Sequence, residues 1–128
     1  MILQQISIKE VFGRFITKKK KRTVYVLKNG NSVTMKTNSD RYILFKEKGL
    51  TCVCCGLTAN KAYIEQPRGQ SLAHINFYIE RKGFKNILFT KDHIIPKCKG
   101  GEDKQENYQP MCQICNSKKG GEIEHSNF

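Results

Sequence analysis

Six cysteines have the clearest metal chemistry in the sequence, and four of them form two Cys-x-x-Cys pairs. Cys52 and Cys55, followed by Gly56, make the first pair, and Cys112 and Cys115 make the second. Two such turns bring four thiolates around one point, which is the tetrahedral set that zinc prefers. Because four thiolates leave no coordination position open, we predict a structural zinc bound by these two pairs.

Other interpretations of the cysteines stay open. Cys54 is a competing ligand, although only the spacing from Cys52 to Cys55 has two residues between and a glycine after it. A Cys-x-x-Cys pair is also typical of redox-active sites, and buried cysteines are often inert free thiols. Two matched pairs favour a metal over both, and we expect Cys54 and Cys98 to be free thiols.

A second group of side chains has the chemistry of phosphodiester hydrolysis. This reaction needs a deprotonated water, a counter-charge for the transition state and stabilisation of the departing oxygen. His93 is of the type best able to take up a proton near neutral pH. The carboxylate of Asp92 and the amide oxygen of Asn116 suit a hard cation such as Mg²⁺. Asp92 and His93 point to opposite faces of a regular strand, so they flank one phosphate only if the strand ends or kinks there, which Pro96 allows.

These residues lie in a longer set of motifs between residues 90 and 121. In order, it has an Asp-His pair at a strand end, a Gly-Gly loop, a middle Asn, and a Cys-x-x-Cys pair followed by Asn and two lysines. This pattern resembles the HNH nuclease family, and the first cysteine pair matches the zinc-stapled version of that family. The segments HINFY and TKDHIIPKCKGG look like phage-encoded members. The matching residues are Asp92-His93, Gly100-Gly101, Asn107, Cys112…Cys115-Asn116 and Lys118-Lys119.

The resemblance implies a catalytic set made of His93, Asp92, Asn107, Asn116 and Lys119. In this assignment His93 is the general base, and Asp92 and Asn116 hold one Mg²⁺ or Mn²⁺. Asn107 holds the loop so that the His93 ring is oriented, and Lys119 or the lysine before it approaches the phosphate from the last helix. The family often has a histidine where this chain has Asn116, and an amide oxygen suits Mg²⁺ or Mn²⁺ better than Zn²⁺.

Local patterns predict the first elements that position these residues. Asn29-Gly30 lies between two β-rich stretches, which predicts a hairpin over residues 23–37. Ser39 and Asp40 offer N-cap chemistry for a short helix that Gly49 ends.

Further along, strict alternation predicts a strand over residues 72–80, with Ala73, Ile75, Phe77 and Ile79 on one face. A second strand, 86–96, is expected to end at Pro96. A short helix is expected from Gln113 to Lys119, stopped by Gly120-Gly121.

The predicted class is α+β, and the resemblance implies a small, treble-clef-like ββα-metal finger with a four-cysteine structural zinc site. A basic β-hairpin and a short helix precede this finger. We expect three segments: a basic N-terminal appendage over 1–38, the nuclease domain over 39–121 and a polar tail over 122–128.

The charge balance indicates a polyanionic partner. The chain has 23 basic and 11 acidic residues, a formal net charge of +12, and 12 of the basic residues lie in residues 1–50. We expect this region to contact DNA phosphates, which gives affinity without sequence preference. A solvated loop is the other interpretation of its basic run. The predicted DNA-binding residues are Lys18, Lys19, Lys20, Lys21 and Arg22.

Together these features predict a metal-dependent DNA endonuclease that nicks as a monomer and needs a dimer or two events to break both strands. The alternative is a zinc-stapled nucleic-acid-binding module without catalysis, and an RNA-acting nuclease or part of a phage assembly stays open. No stretch is apolar enough for a membrane span or a signal peptide. We therefore expect a cytoplasmic protein, in the host cell if phage-encoded, acting on double-stranded DNA.

Overall fold

The protein is built on a five-stranded antiparallel sheet with a separate two-stranded hairpin. The computed structural model describes residues 1–16 and 21–126. The strands are β1 (Ile2–Ile6), β2 (Arg22–Val26), β3 (Ser32–Lys36), β4 (Lys61–Glu65), β5 (His74–Ile79), β6 (Ile87–His93) and β7 (Tyr108–Cys112). The α-helices are α1 (Ile8–Glu10), α2 (Asp40–Lys48) and α3 (Gln113–Ser126). The order in the large sheet is β1-β4-β5-β6-β7, and β2 pairs with β3. The predicted α+β class is confirmed.

The predicted hairpin is formed by β2 and β3. Its turn is closed by hydrogen bonds from the Leu27 amide to the Asn31 carbonyl (2.7 Å) and from the Asn31 amide to the Asn29 side chain (2.9 Å). Gly30 has a φ of 91°, a value that glycine adopts without steric cost. The Asn-Gly signal is thus confirmed.

Helix α2 also follows its prediction, and it fixes the sheet from one side. It ends at Gly49, whose φ is 86°, although Ser39 makes no side-chain cap hydrogen bond at its start. The Phe45 ring packs edge-on against Phe77 of β5 and Phe89 of β6, with centroid distances of 5.4 and 5.5 Å. Because these rings are almost fully buried, α2 is held against the middle of the sheet.

Strands β6 and β7 leave the rest of the sheet together. β6 pairs with β5 only at its first two residues, whereas residues 89–93 pair only with β7. Helix α3 packs against β6 and β7, which completes a ββα unit. The end of β6 was predicted at Pro96 and lies at His93. The Ile94 amide still donates to the Asn107 carbonyl (2.8 Å), in register with the ladder. The Asn107 amide, however, donates to the Lys104 carbonyl (2.9 Å) and not back to Ile94, so the ladder ends here.

The predicted end of the last helix is wrong, because α3 continues beyond Gly120-Gly121 to Ser126. Glycine costs about 1 kcal/mol relative to alanine inside a helix, but it keeps its amide donor. The φ of Gly120 lies outside the left-handed region that ends a helix. In the part of the chain that the structure describes, no helix combines the length and apolar character needed to cross a membrane.

Candidate metal centre and active site

The two cysteine pairs converge on one point. The Sγ atoms of Cys52, Cys55, Cys112 and Cys115 all lie within 4.8 Å of one another. The distance between the sulfurs of Cys55 and Cys112 is 3.9 Å. Four sulfurs bound to zinc at about 2.3 Å would be about 3.8 Å apart, so this spacing fits a tetrahedral ion. The predicted four-cysteine cluster is confirmed.

Backbone hydrogen bonds shape the first pair into a tight turn. The Gly56 amide donates to the Cys52 carbonyl (3.0 Å), and Gly56 has a φ of 78°. The Val53 amide donates to the Pro110 carbonyl of β7 (3.1 Å), which holds the turn beside the second pair. Since the second pair spans the junction of β7 and α3, the cluster ties that junction to the segment after α2.

The sulfur of Cys52 is prepared for metal binding. Burial raises the pKa of this thiol, but hydrogen bonds from the backbone of Cys55, Cys112 and Cys54 lower it to about 6. These hydrogen bonds favour the thiolate of Cys52, which is the form that binds metals, whereas burial raises the pKa of the Cys112 and Cys115 thiols. Cys54 and Cys98 are exposed and lie outside the cluster.

Apart from the cysteine cluster, a cavity of about 270 Å³ opens where β6 ends beside α3. We call it the catalytic cavity, because side chains that the sequence predicts to be catalytic meet there. The predicted residues Asp92, His93, Asn116 and Lys119 all line it. Asp92 and His93 lie on opposite faces of the β6–β7 ribbon, and they reach one cavity because the strand ends at His93.

Asp92 is a buried carboxylate that forms an ion pair with Lys119. Its Oδ2 atom accepts hydrogen bonds from Lys119 Nζ (2.7 Å) and Gln109 Nε2 (2.8 Å). The same ammonium donates to the carbonyls of His93 (2.6 Å) and Ile94 (3.3 Å). Three protein oxygens thus surround a positive charge at the cavity wall. A contact between Lys119 and a phosphate stays a prediction.

The orientation of the Asn116 amide follows from one neighbouring hydroxyl. Thr90 Oγ1 donates its proton to the Met111 carbonyl (2.7 Å). It can therefore only accept from Asn116, whose Nδ2 lies 2.9 Å away. This leaves Oδ1 as the amide atom available to a metal. Thr90 was not predicted as a site residue; its only signal in the sequence is that it lies two residues before Asp92 and therefore on the same strand face.

The His93 ring is held by Asp103, an acid that was not predicted from the sequence. Its Nε2 lies 2.7 Å from Asp103 Oδ1, and its ring meets the Tyr108 ring edge-on at 5.2 Å. Hydrogen bonds from His93 and Lys97 hold the pKa of the Asp103 carboxyl below its usual value. Because an ionised carboxylate only accepts, Nε2 carries the proton and Nδ1 of the neutral ring keeps its lone pair.

Asn107 closes the loop that carries Asp103. Its Oδ1 accepts from the Ile95 amide (2.8 Å), and its Nδ2 donates to the carbonyls of Ile95 (3.1 Å) and Glu102 (2.9 Å). A Cβ atom on Gly101 would lie 1.7 Å from the Ile95 carbonyl oxygen, so only glycine fits this close backbone approach. Asn107 lies outside the cavity lining, and among the described residues its side chain hydrogen-bonds only to backbone groups.

The predicted DNA-binding run is only partly described. Lys18, Lys19 and Lys20 lie outside the described residues. Lys21 and Arg22 line a separate, larger cavity at the start of the hairpin.

Comparison with known families supports the resemblance noted in the sequence. Residues 78–126 match the family model described as HNH endonuclease. The matched range contains the whole lining of the catalytic cavity and the second cysteine pair, whereas the hairpin, α2 and the first pair precede it. No curated protein and no solved structure matches the chain.

Proposed function

We propose that this protein, whose residues 78–126 form an HNH endonuclease domain, is a metal-dependent endonuclease that hydrolyses phosphodiester bonds in DNA. His93 is the general base, Asp92 and Asn116 hold one Mg²⁺ or Mn²⁺, and the four cysteines hold a structural zinc. The observation that carries the proposal is the meeting of these three side chains in one cavity. The predicted segments 1–38 and 39–121 serve as the DNA-contacting and nuclease parts of one fold, since β1 pairs with β4 in the large sheet, and α3 continues to Ser126, into the predicted tail of 122–128.

The donor set of the catalytic cavity fits a hard divalent cation. Asp92 Oδ1 and Asn116 Oδ1 are oxygen donors that are not used in the hydrogen bonds to Lys119, Gln109 and Thr90. When bound, the metal supplies counter-charge for the phosphate in the transition state.

His93 takes the proton of the attacking water. Its Nδ1 lone pair accepts that proton while the water oxygen bonds to phosphorus and the bond from phosphorus to the 3′ oxygen breaks. Solvent protonates the departing oxygen, which gives 5′-phosphate and 3′-hydroxyl ends. The Asp103 carboxylate, which accepts from Nε2, stabilises the imidazolium that forms.

A plasmid assay tests the proposal. Supercoiled DNA is incubated with purified protein and Mg²⁺, Mn²⁺ or EDTA, and the ends are mapped. We expect open circles before linear DNA, only with the metals, and 5′-phosphate ends. EDTA samples to which Mg²⁺ is restored control for loss of zinc. Duplex binding without any metal-dependent cleavage would favour the non-catalytic binding module instead.

Replacing Asp103 tests the orientation of the base. Asp103→Asn keeps an acceptor but removes the negative charge beside the imidazolium. We expect nicking to slow by about 10–100-fold, the range found when the orienting partner of a metal-binding histidine is removed. Glu102→Gln is the matched control, because Glu102 pairs with Lys104 (2.6 Å) and not with His93. Equal rates for both variants would remove Asp103 from the mechanism.

A further inference from the structure

A basic cleft lies next to the catalytic cavity. Of the described residues that line the cleft, only Lys91 lies within the range that the family model matches. It has a volume of about 680 Å³ and lies between the hairpin, the start of α2 and β6. Its wall carries five cations and one acid: Lys21, Arg22, Lys36, Arg41, Lys91 and Asp40. We use the name basic cleft for the surface that these residues form.

The positive charge of the cleft is only partly balanced, because Asp40 is the one acid beside five cations among the described residues that line it. The ion pairs between residues that the structure describes involve none of the five cations. Arg22 and Lys36 are direct partners in the β2–β3 register, so two like charges face each other across the hairpin. Like charges in this position destabilise a hairpin. An anion bound between them would remove that repulsion.

Arg41 is held in place by neutral acceptors, so these hydrogen bonds do not cancel its positive charge. Its guanidinium donates to Asn76 Oδ1 (2.8 Å) and to the Ile75 carbonyl (2.9 Å), which are both neutral acceptors. The positive charges also act on the nearby His74. Burial lowers the pKa of its ring, and the charges of Arg41 and Lys36 lower this pKa further. The cleft therefore presents a rigid cation in a positive local potential.

Lys91 joins the cleft to the catalytic cavity, because it lines both. Its Nζ lies 4.1 Å from the centre of the Tyr108 ring, a cation–π contact, and the same ring meets His93 edge-on. Lys91 thus places one cation at the boundary between the two cavities.

The lining also indicates which part of a nucleic acid it contacts. Among the described residues it contains no aromatic side chain, and Leu72 is its one large apolar residue. Proteins that hold single strands stack the bases on aromatic rings. Cations without rings bind backbone phosphates and give affinity without sequence preference.

We propose that the basic cleft binds backbone phosphates of duplex DNA that flank the scissile phosphate, and that it does so without reading bases. This inference rests on the proposed endonuclease function. It assigns to Lys36, Arg41 and Lys91 a role in substrate binding, and it sets the path of the DNA from the catalytic cavity towards the hairpin.

The double variant Arg22→Ala/Lys36→Ala tests the cleft. Binding to duplexes of unrelated sequence is measured by fluorescence anisotropy over a range of NaCl concentrations, without added divalent metal. We expect the slope of log K against log salt to become shallower by about 2, which is about 1 for each lost phosphate contact. Binding should weaken equally for all sequences. The melting temperature should be unchanged or higher, because the variant removes a like-charge pair.

The double variant Lys28→Ala/Lys82→Ala is the matched control, since both lysines are exposed and outside the cleft. It should keep the wild-type slope within error. In the plasmid assay the cleft variant should raise KM and leave kcat unchanged. An unchanged slope, a loss confined to some sequences, or a loss seen only with single strands would overturn the inference. If the wild type binds with the expected slope but never cleaves, the endonuclease proposal fails and the cleft stands as a binding surface.

Discussion

His93→Ala should reduce metal-dependent nicking by about 10²–10⁴-fold, the usual contribution of a general base. Among the described residues that line the catalytic cavity, His93 is the only histidine, so the variant removes the only imidazole that can take up a proton there. It should keep duplex affinity, because the basic cleft does not include His93. Single-turnover rates on supercoiled plasmid, with anisotropy on a matched duplex, measure both quantities.

His74→Ala is the control for this experiment. His74 lies on β5 outside the catalytic cavity, and its ring is hydrogen-bonded to Gln70 (3.3 Å). Its replacement should leave the rate of nicking nearly unchanged. If His93→Ala nicks as fast as the wild type in Mg²⁺ or Mn²⁺, His93 is not the base.

Cys112→Ser should remove the bound zinc and destabilise the fold. Structural zinc contributes about 10–16 kcal/mol in small zinc domains, and a hydroxyl is a much poorer ligand than a thiolate. Loss of even a quarter of that energy lowers the melting temperature by roughly 10 °C. Cys112 is buried where β7 meets α3, so its loss also loosens the strand that pairs with Asp92. Metal analysis and thermal unfolding of the purified protein test this.

Cys98→Ser is the control, because Cys98 is exposed and outside the four-cysteine cluster. It should keep one zinc per chain and the wild-type melting temperature. A Cys112→Ser protein that melts like the wild type without zinc would show that the cluster does not hold a structural metal.

Local signals in the sequence were enough to predict the elements that depend on neighbouring residues. The Asn29-Gly30 turn, the end of α2 at Gly49 and the alternation along β5 each follow from backbone preferences or side-chain periodicity within a few residues. The four-cysteine cluster was also predictable, since zinc chemistry links two distant pairs whatever lies between them.

Features that depend on long-range packing were not predictable in this way. Strand β1 pairs with β4 about 60 residues later, and nothing in its short sequence specifies that partner. Asp103 follows another acid, Glu102, and only the closed loop shows which of them faces the His93 ring. The extension of α3 past Gly120 was missed because glycine weakens a helix without forcing it to end.

The basic cleft contains residues that local sequence could predict and residues that it could not. The sequence predicted contact with DNA from a continuous basic run, and Lys21 and Arg22 do line the cleft. Lys36, Arg41 and Lys91, which the proposal adds, could not be singled out in the sequence because each is an isolated cation there. They meet only through the pairing of β2 with β3 and the packing of α2 against β6.

The central claim is that Asp92 and Asn116 hold one divalent ion beside His93. Its most direct test is the Mn²⁺ concentration that gives half-maximal nicking, measured for the wild type, Asn116→Ala and Thr90→Val. Loss of the amide oxygen should raise this concentration at least about tenfold, which corresponds to about 1.4 kcal/mol of binding. Thr90→Val, which frees the amide to turn, should raise it by less. An unchanged half-maximal Mn²⁺ concentration in Asn116→Ala would contradict the claim.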